Sequence, residues 1–172
     1  MRSFVLTGTL AISGVFAFGN IPKQISRAWN SLPLKSDIPI RTLDVQADAQ
    51  MARLRKLTTK GDEIGIAKTV LNYLKLEVQI LKQLKSDYAA STEALKQAME
   101  QSILSGSTKQ LEETQRQTRA KQKQRLATQE KSYQRLREFS SLTDSMPPDI
   151  GQYLKVEIKP ILQDLSLLRS LE

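Results

Sequence analysis

The chain has 172 residues, 40% of them hydrophobic and only 5% aromatic, so its length suits one domain with an aliphatic core. It contains no His and no Cys, which excludes disulfides, thiol nucleophiles and any metal site or triad that needs those residues. The net charge of +8 is uneven: residues 20–60 and 105–141 carry +5 each and residues 142–172 carry −2, a balance that favours anionic partners such as lipid headgroups, acidic proteins, cell-wall polymers or nucleic acid.

Residues 1–19 read as a signal peptide or a membrane anchor. Arg2 supplies a positive start, and Phe4 to Phe18 is uncharged and mostly apolar. Ala17 and Gly19 fit the small-x-small pattern before a cut at Asn20. No charge occurs from Ser3 to Pro22, a stretch of about 20 residues and enough to span a bilayer, so an uncleaved anchor is the rival. A buried helix or an organelle presequence is the third reading.

Residues 20–41 form a connecting arm. Ile21, Ile25, Trp29 and Leu32 recur at helical spacing, with Lys23 and Arg27 off that line. Such a segment either lies at a membrane interface, extending a membrane contact over residues 4–32, or packs Trp29 on the body. Pro33 and Pro39 bracket a loop.

Residues 42–172 read as a helical domain. Leu43, Ala47, Met51 and Leu54 give a helix from Thr42 to about Thr58 a thin apolar stripe, and Thr59-Lys60-Gly61-Asp62 breaks it, with Asp62 placed to cap the second helix. A hairpin over 62–141 comes next. Its first helix has a heptad seam of Ile64, Ala67, Leu71, Leu74, Val78 and Leu81, continued by Lys85, Tyr88, Thr92, Leu95 and Met99. A second row, Ile66, Val70, Tyr73, Ile80 and Leu84, widens the apolar face as far as Leu84. Gly106 suits the left-handed end of that helix, and Ser107 with Gln110 gives a capping-box pattern for the return helix. The return helix offers few apolar residues: Leu111, Leu126, Tyr133, Leu136 and Phe139. Folding about Gly106 sets Val78 opposite Tyr133 and Met99 opposite Leu111, but Leu95 opposite Gln115 and Thr92 opposite Thr118. The base of the hairpin is therefore expected to bury a core, and its tip to project as a polar arm.

Pro147-Pro148 ends the return helix, and Asp149 resembles an N-cap. The apolar segment 150–171 alternates with period two over 154–159, a strand signature. No partner strand is evident, so the segment is predicted to be a helix, kinked or split at Pro160, with Ile161 to Leu171 docked on the wide face at Ile64–Leu84. The fold class is all-α: a long antiparallel, coiled-coil-like hairpin packed at its base against shorter N- and C-terminal helices.

Chemistry-bearing motifs are scarce. Gly61 to Gly65 lacks the Lys-Ser/Thr of a phosphate-binding loop. The acidic pairs Asp62-Glu63 and Glu112-Glu113 lie at helix starts, where the helix dipole accounts for them. No catalytic, cofactor-binding or metal-binding residue is assigned. Candidate partner-binding residues are Leu95, Met99 and Leu111, an apolar set near the tip, with the basic Arg116, Arg119 and Lys123 beside them. The expected function is a non-enzymatic, exported (secreted or periplasmic) or membrane-anchored scaffold, adaptor or assembly factor. It would bind a protein partner or a second copy through the arm. The rival reading is a holdase or surface-binding module for anionic partners. A third is a cytoplasmic nucleic-acid-binding protein, disfavoured because the basic helix lacks aromatics for base stacking. In outline the chain is similar to periplasmic holdases of the Skp family, without the β-strand segments of their trimeric body, and to the elongated helical pilus-tip subunits of type IV secretion systems.

Overall fold

The computed structural model describes residues 38–146 and 148–171. The signal or anchor at 1–19, the arm up to residue 37 and the Trp29 segment lie outside the described residues. Four helices follow in order: α1 Ile40–Lys60, α2 Glu63–Ser105, α3 Lys109–Leu142 and α4 Pro148–Leu171, with a 3-10 turn at Thr143–Ser145 before α4. All packing among the described residues is helix on helix.

Local chemistry sets the boundaries. Gly61 and Gly106 end α1 and α2 at φ of 68° and 66°, a conformation that costs an L side chain energy and glycine none. The Asp62 carboxylate accepts from the Gly65 N–H at 2.9 Å and so caps α2. The capping box expected of Ser107 and Gln110 does not form. The cap position falls instead on Thr108, whose hydroxyl donates to the Glu112 carboxylate at 2.9 Å. The alternating stretch at 154–159 is helical, and α4 runs unbroken through Pro160. Proline there leaves the Val156 carbonyl without its helical donor. Both residues are exposed, so that carbonyl is not sealed in the core.

The hairpin is antiparallel. Arg125 of α3 reaches Asp87 and Ser91 of α2, and ten residues further along α3 Arg135 reaches back to Glu77. α1 and α4 lie on opposite flanks of this pair. Lys131 and Arg135 bond to Asp44 and Asp48 of α1. Gln129, about 200° round α3 from Lys131, donates to the Leu165 carbonyl of α4. The expected seat of α4 therefore needs correcting. It lies in the groove between α2 and α3, with Lys85 paired to Asp164 at 2.6 Å, and α1 takes more of the wide α2 face.

The core joins Leu43, Met51 and Leu54 of α1, Val70, Tyr73, Leu74, Ile80 and Leu81 of α2, Leu136 and Phe139 of α3, and Leu154, Ile158 and Ile161 of α4. It ends at about Tyr88, whose hydroxyl donates to the Leu171 carbonyl at the C-terminal end of α4. From there to Ser105, α2 runs on for about 26 Å, and among the described residues its neighbour along this stretch is α3, with Ile40 of α1 near the root.

Candidate functional site

Two polar assemblies lie along the hairpin, one sealed in the body and one at the root of the arm. In the body, Arg135 donates from Nε to Glu77 at 2.7 Å and from Nη1 to Asp44 at 2.5 Å and Asp48 at 3.0 Å. Ser132 donates to the second Glu77 oxygen, and Lys131 reaches Asp44 at 3.2 Å. One guanidinium thus ties α1 and α2 to α3. The Glu77 side chain has 0% exposure and that of Arg135 7%. Burial raises the Glu77 carboxyl above its ordinary value, opposed by the Arg135 charge and its hydrogen bond. Tyr73, its ring 5.2 Å from that of Phe139, closes the core beside the cluster. A group so enclosed offers a substrate no approach, and its geometry suits the alignment of three helices.

Sequence reasoning missed this cluster, although a signal was present. Glu77 occupies the one vacant step of the second apolar row, between Tyr73 and Ile80. Arg135 stands next to Leu136 on the buried line of α3, which runs through Arg125, Thr128, Ser132 and Phe139. The apolar residues read as the return seam are partly displaced from it: Leu126 is 37% exposed and Tyr133 is half-buried.

At the root of the arm, Arg125 is buried beneath Tyr88, its guanidinium carbon 5.7 Å from the ring centre. It donates to Ser91 Oγ at 2.8 Å and to the Asp87 carbonyl at 3.2 Å. Beyond this point the seam differs from the heptad continuation. Thr92 and Met99 face solvent, whereas Ser91 and Ala98 are buried and Leu95 is half-buried. The reason is positional. In the body the first row includes Lys85 and Tyr88, which meet α4, and the second row faces α3 through Glu77. Among the described residues the arm has no α4 beside it, and the buried line of α2 continues there in small residues, Ser91 and Ala98.

The candidate partner-binding residues divide accordingly. Leu95 and Leu111 are half-buried in the arm seam. Met99 leaves the seam at 55% exposure, and Ile103 and Leu104 join it at the tip at 79% and 87%. Those two carry no periodic signal in the sequence because the helix ends there. Arg116, Arg119 and Lys123 are exposed on one side of α3, at steps of three and four residues, with Arg116 held to Glu113 at 2.7 Å. Among the described residues no group of three or more acids is placed to hold a metal ion. No known protein family, curated protein or solved structure matches this chain.

Proposed function

We propose that this protein is a non-enzymatic scaffold or adaptor, exported or held at a membrane, whose hairpin arm is its interaction element. The observation behind this reading is the position of Met99, Ile103 and Leu104. Three large apolar side chains are exposed together on a projection that carries no core of its own. Covering each side chain fully is worth about 1.5–3 kcal/mol, enough in combination to anchor a protein surface at the tip. The favoured occupant is a different protein, with self-association second. A photo-crosslinker at Ile103 in the native cell should give a discrete adduct, which Met99→Ser with Leu104→Ser abolishes while the melting transition of the body stays unchanged. No adduct at Ile103, or one indifferent to the serines, makes the arm a spacer.

The holdase reading rests on the exposed face of Arg116, Arg119 and Lys123. Reversing those charges, or adding salt against a Debye length of about 8–10 Å, should then abolish binding while the serine changes leave it intact.

Among the described residues no helix is long and apolar enough to cross a membrane, so membrane attachment is argued from residues 1–32 alone. Cell fractionation is expected to place residues 21–172 outside the cytosol or across an organellar membrane. Soluble cytosolic protein that still begins at Met1 overturns the location and favours the nucleic-acid reading.

A further inference from the structure

In the body, α4 lies against the row of α2 that carries the heptad seam. Lys85 pairs with Asp164 at 2.6 Å, and the Tyr88 hydroxyl donates to the Leu171 carbonyl. On the other side of the same groove, Glu130 of α3 pairs with Arg169 of α4 at 3.4 Å. Among the described residues α4 goes no further than Leu171, but the row it covers does. Eleven residues make close to three helical turns, so each position on this track has a counterpart of nearly the same bearing eleven residues along. Lys85 is followed by Lys96 and Tyr88 by Met99, and on the antiparallel α3 the counterpart of Glu130 is Arg119. Leu95 and Ile103 stand one turn to either side of Met99. The groove that seats α4 therefore continues into the arm with an apolar line along it. Leu95 is half-buried there, and Met99 and Ile103 are exposed.

We propose that the arm takes an amphipathic helix of another protein, seated on the continuation of the α4 track, with acidic residues on both edges of its apolar face. The proposal rests on the reading of the arm as an interaction element and names what the arm binds. The first support is the form of the seat. In the body this groove holds a helix, with Ile161, Leu165 and Leu168 of α4 buried at steps of four and three residues. A partner that lays the same kind of stripe on Leu95, Met99 and Ile103 meets the same groove. The second is length. From Tyr88 to Ile103 the track runs about 22 Å, which suits a helix of about four turns. The third is charge. α4 meets its groove with an acid against Lys85 and a base against Glu130. In the arm the second position is reversed: Lys96 and Arg119 are both basic and exposed. Glu112, two turns nearer the tip on the Arg119 edge, accepts from the Thr108 hydroxyl at 2.9 Å. A helix with acids on both edges is therefore complementary, and one with the charges of α4 is not. The same edges disfavour a second copy, because two arms paired through this groove bring basic edges together.

Two dye-labelled helical peptides of about four turns test this on the full chain. Both carry leucine on one face; one has glutamates on both edges of that face and the other has lysines there. The glutamate peptide should bind about tenfold more tightly at low salt, and the difference should shrink as salt is added. Lys96→Glu with Arg119→Glu should invert the preference. The melting transition should not move in that variant, because both positions are exposed. Met99→Ser with Ile103→Ser, also at exposed positions, should weaken both peptides. Equal binding of the two peptides, binding of neither, or a preference that survives the charge reversal overturns the proposal. So does a sedimenting mass that rises with protein concentration and returns to that of one chain in Met99→Ser with Ile103→Ser, which assigns the groove to a second copy. The in-cell crosslink at Ile103 separates this failure from failure of the arm reading. If neither peptide binds but the adduct persists, the arm keeps a partner and the acidic helix is withdrawn. If the adduct is absent as well, both readings fall.

Discussion

Arg135→Met is expected to destabilise the fold by about 3–5 kcal/mol at neutral pH, the usual cost of stripping one partner from a buried ion pair. Arg135 is the cation bonded to Glu77, and Glu77 is fully enclosed. Without the guanidinium, Glu77 keeps the Ser132 hydroxyl, and Asp44 keeps Lys131 at 3.2 Å. The loss should then arise mostly from an uncompensated carboxylate and little from the missing attraction. Adding Glu77→Gln to Arg135→Met should therefore recover much of the stability in urea denaturation. A double variant no more stable than Arg135→Met alone would show that shape and hydrogen bonding, not charge, dominate at this position.

The same cluster fixes the sign of a pH effect. Burial holds the folded Glu77 carboxyl above its ordinary value. Between the unfolded and folded values the folded state binds more protons, so this group's contribution to stability falls as pH rises through that window. Arg135 opposes the shift, and removing it raises the carboxyl further and widens the window upward. The deficit of Arg135→Met relative to the unmodified protein should thus be smaller at about pH 5 than at pH 7, just above the ordinary glutamate value near 4.3. An equal deficit at both values would mean that Glu77 in the variant stays charged by admitting water.

Legibility in the sequence depends on what makes a period. α2 carries regular apolar steps, so its extent, its broad face and its end at Gly106 were legible, as was the break at Gly61 with Asp62 as cap. The buried side of α3 was not, because burial there falls on Arg125, Gln129, Ser132 and Arg135, which hydropathy assigns to solvent. Their burial depends on partners 34 to 91 residues away, such as Ser91, Glu77 and Asp44, and no local window contains those. The seam change at Tyr88 was hidden for a related reason. Which apolar row stays covered depends on where α1 and α4 stop, a property of the assembled bundle. At the candidate site, the sequence marks out Leu95, Met99 and Leu111 with the basic Arg116, Arg119 and Lys123 as candidates. The exposed apolar tip of Ile103 and Leu104 carries no such mark, since two adjacent residues at a helix end have no periodicity to reveal them.

Leu74→Ala and Leu95→Ala, the same chemical change about 30 Å apart along one helix at 1.5 Å per residue, should differ sharply in effect. Leu74 is 1% exposed within the four-helix body, where lost transfer energy and the residual cavity together cost about 2–5 kcal/mol. Leu95 is half-buried, in the part of α2 that among the described residues lies beyond α4. Its neighbours can close over the deletion, and part of its surface is already wet, so a loss nearer 1 kcal/mol is expected. The form of the loss should differ as well. Leu74→Ala weakens the cooperative unit and should lower the denaturation midpoint at every probe. Leu95→Ala should loosen the arm ahead of the body, seen as faster amide exchange between about residues 89 and 124 while exchange in α1 is unchanged. That separation is what the proposed function requires, because an arm that opens independently can adjust to a partner without unfolding its support. Equal losses at both positions would instead show that arm and body melt as one unit. The tip would then be the end of a rigid rod, and a role in accommodating partners should be withdrawn.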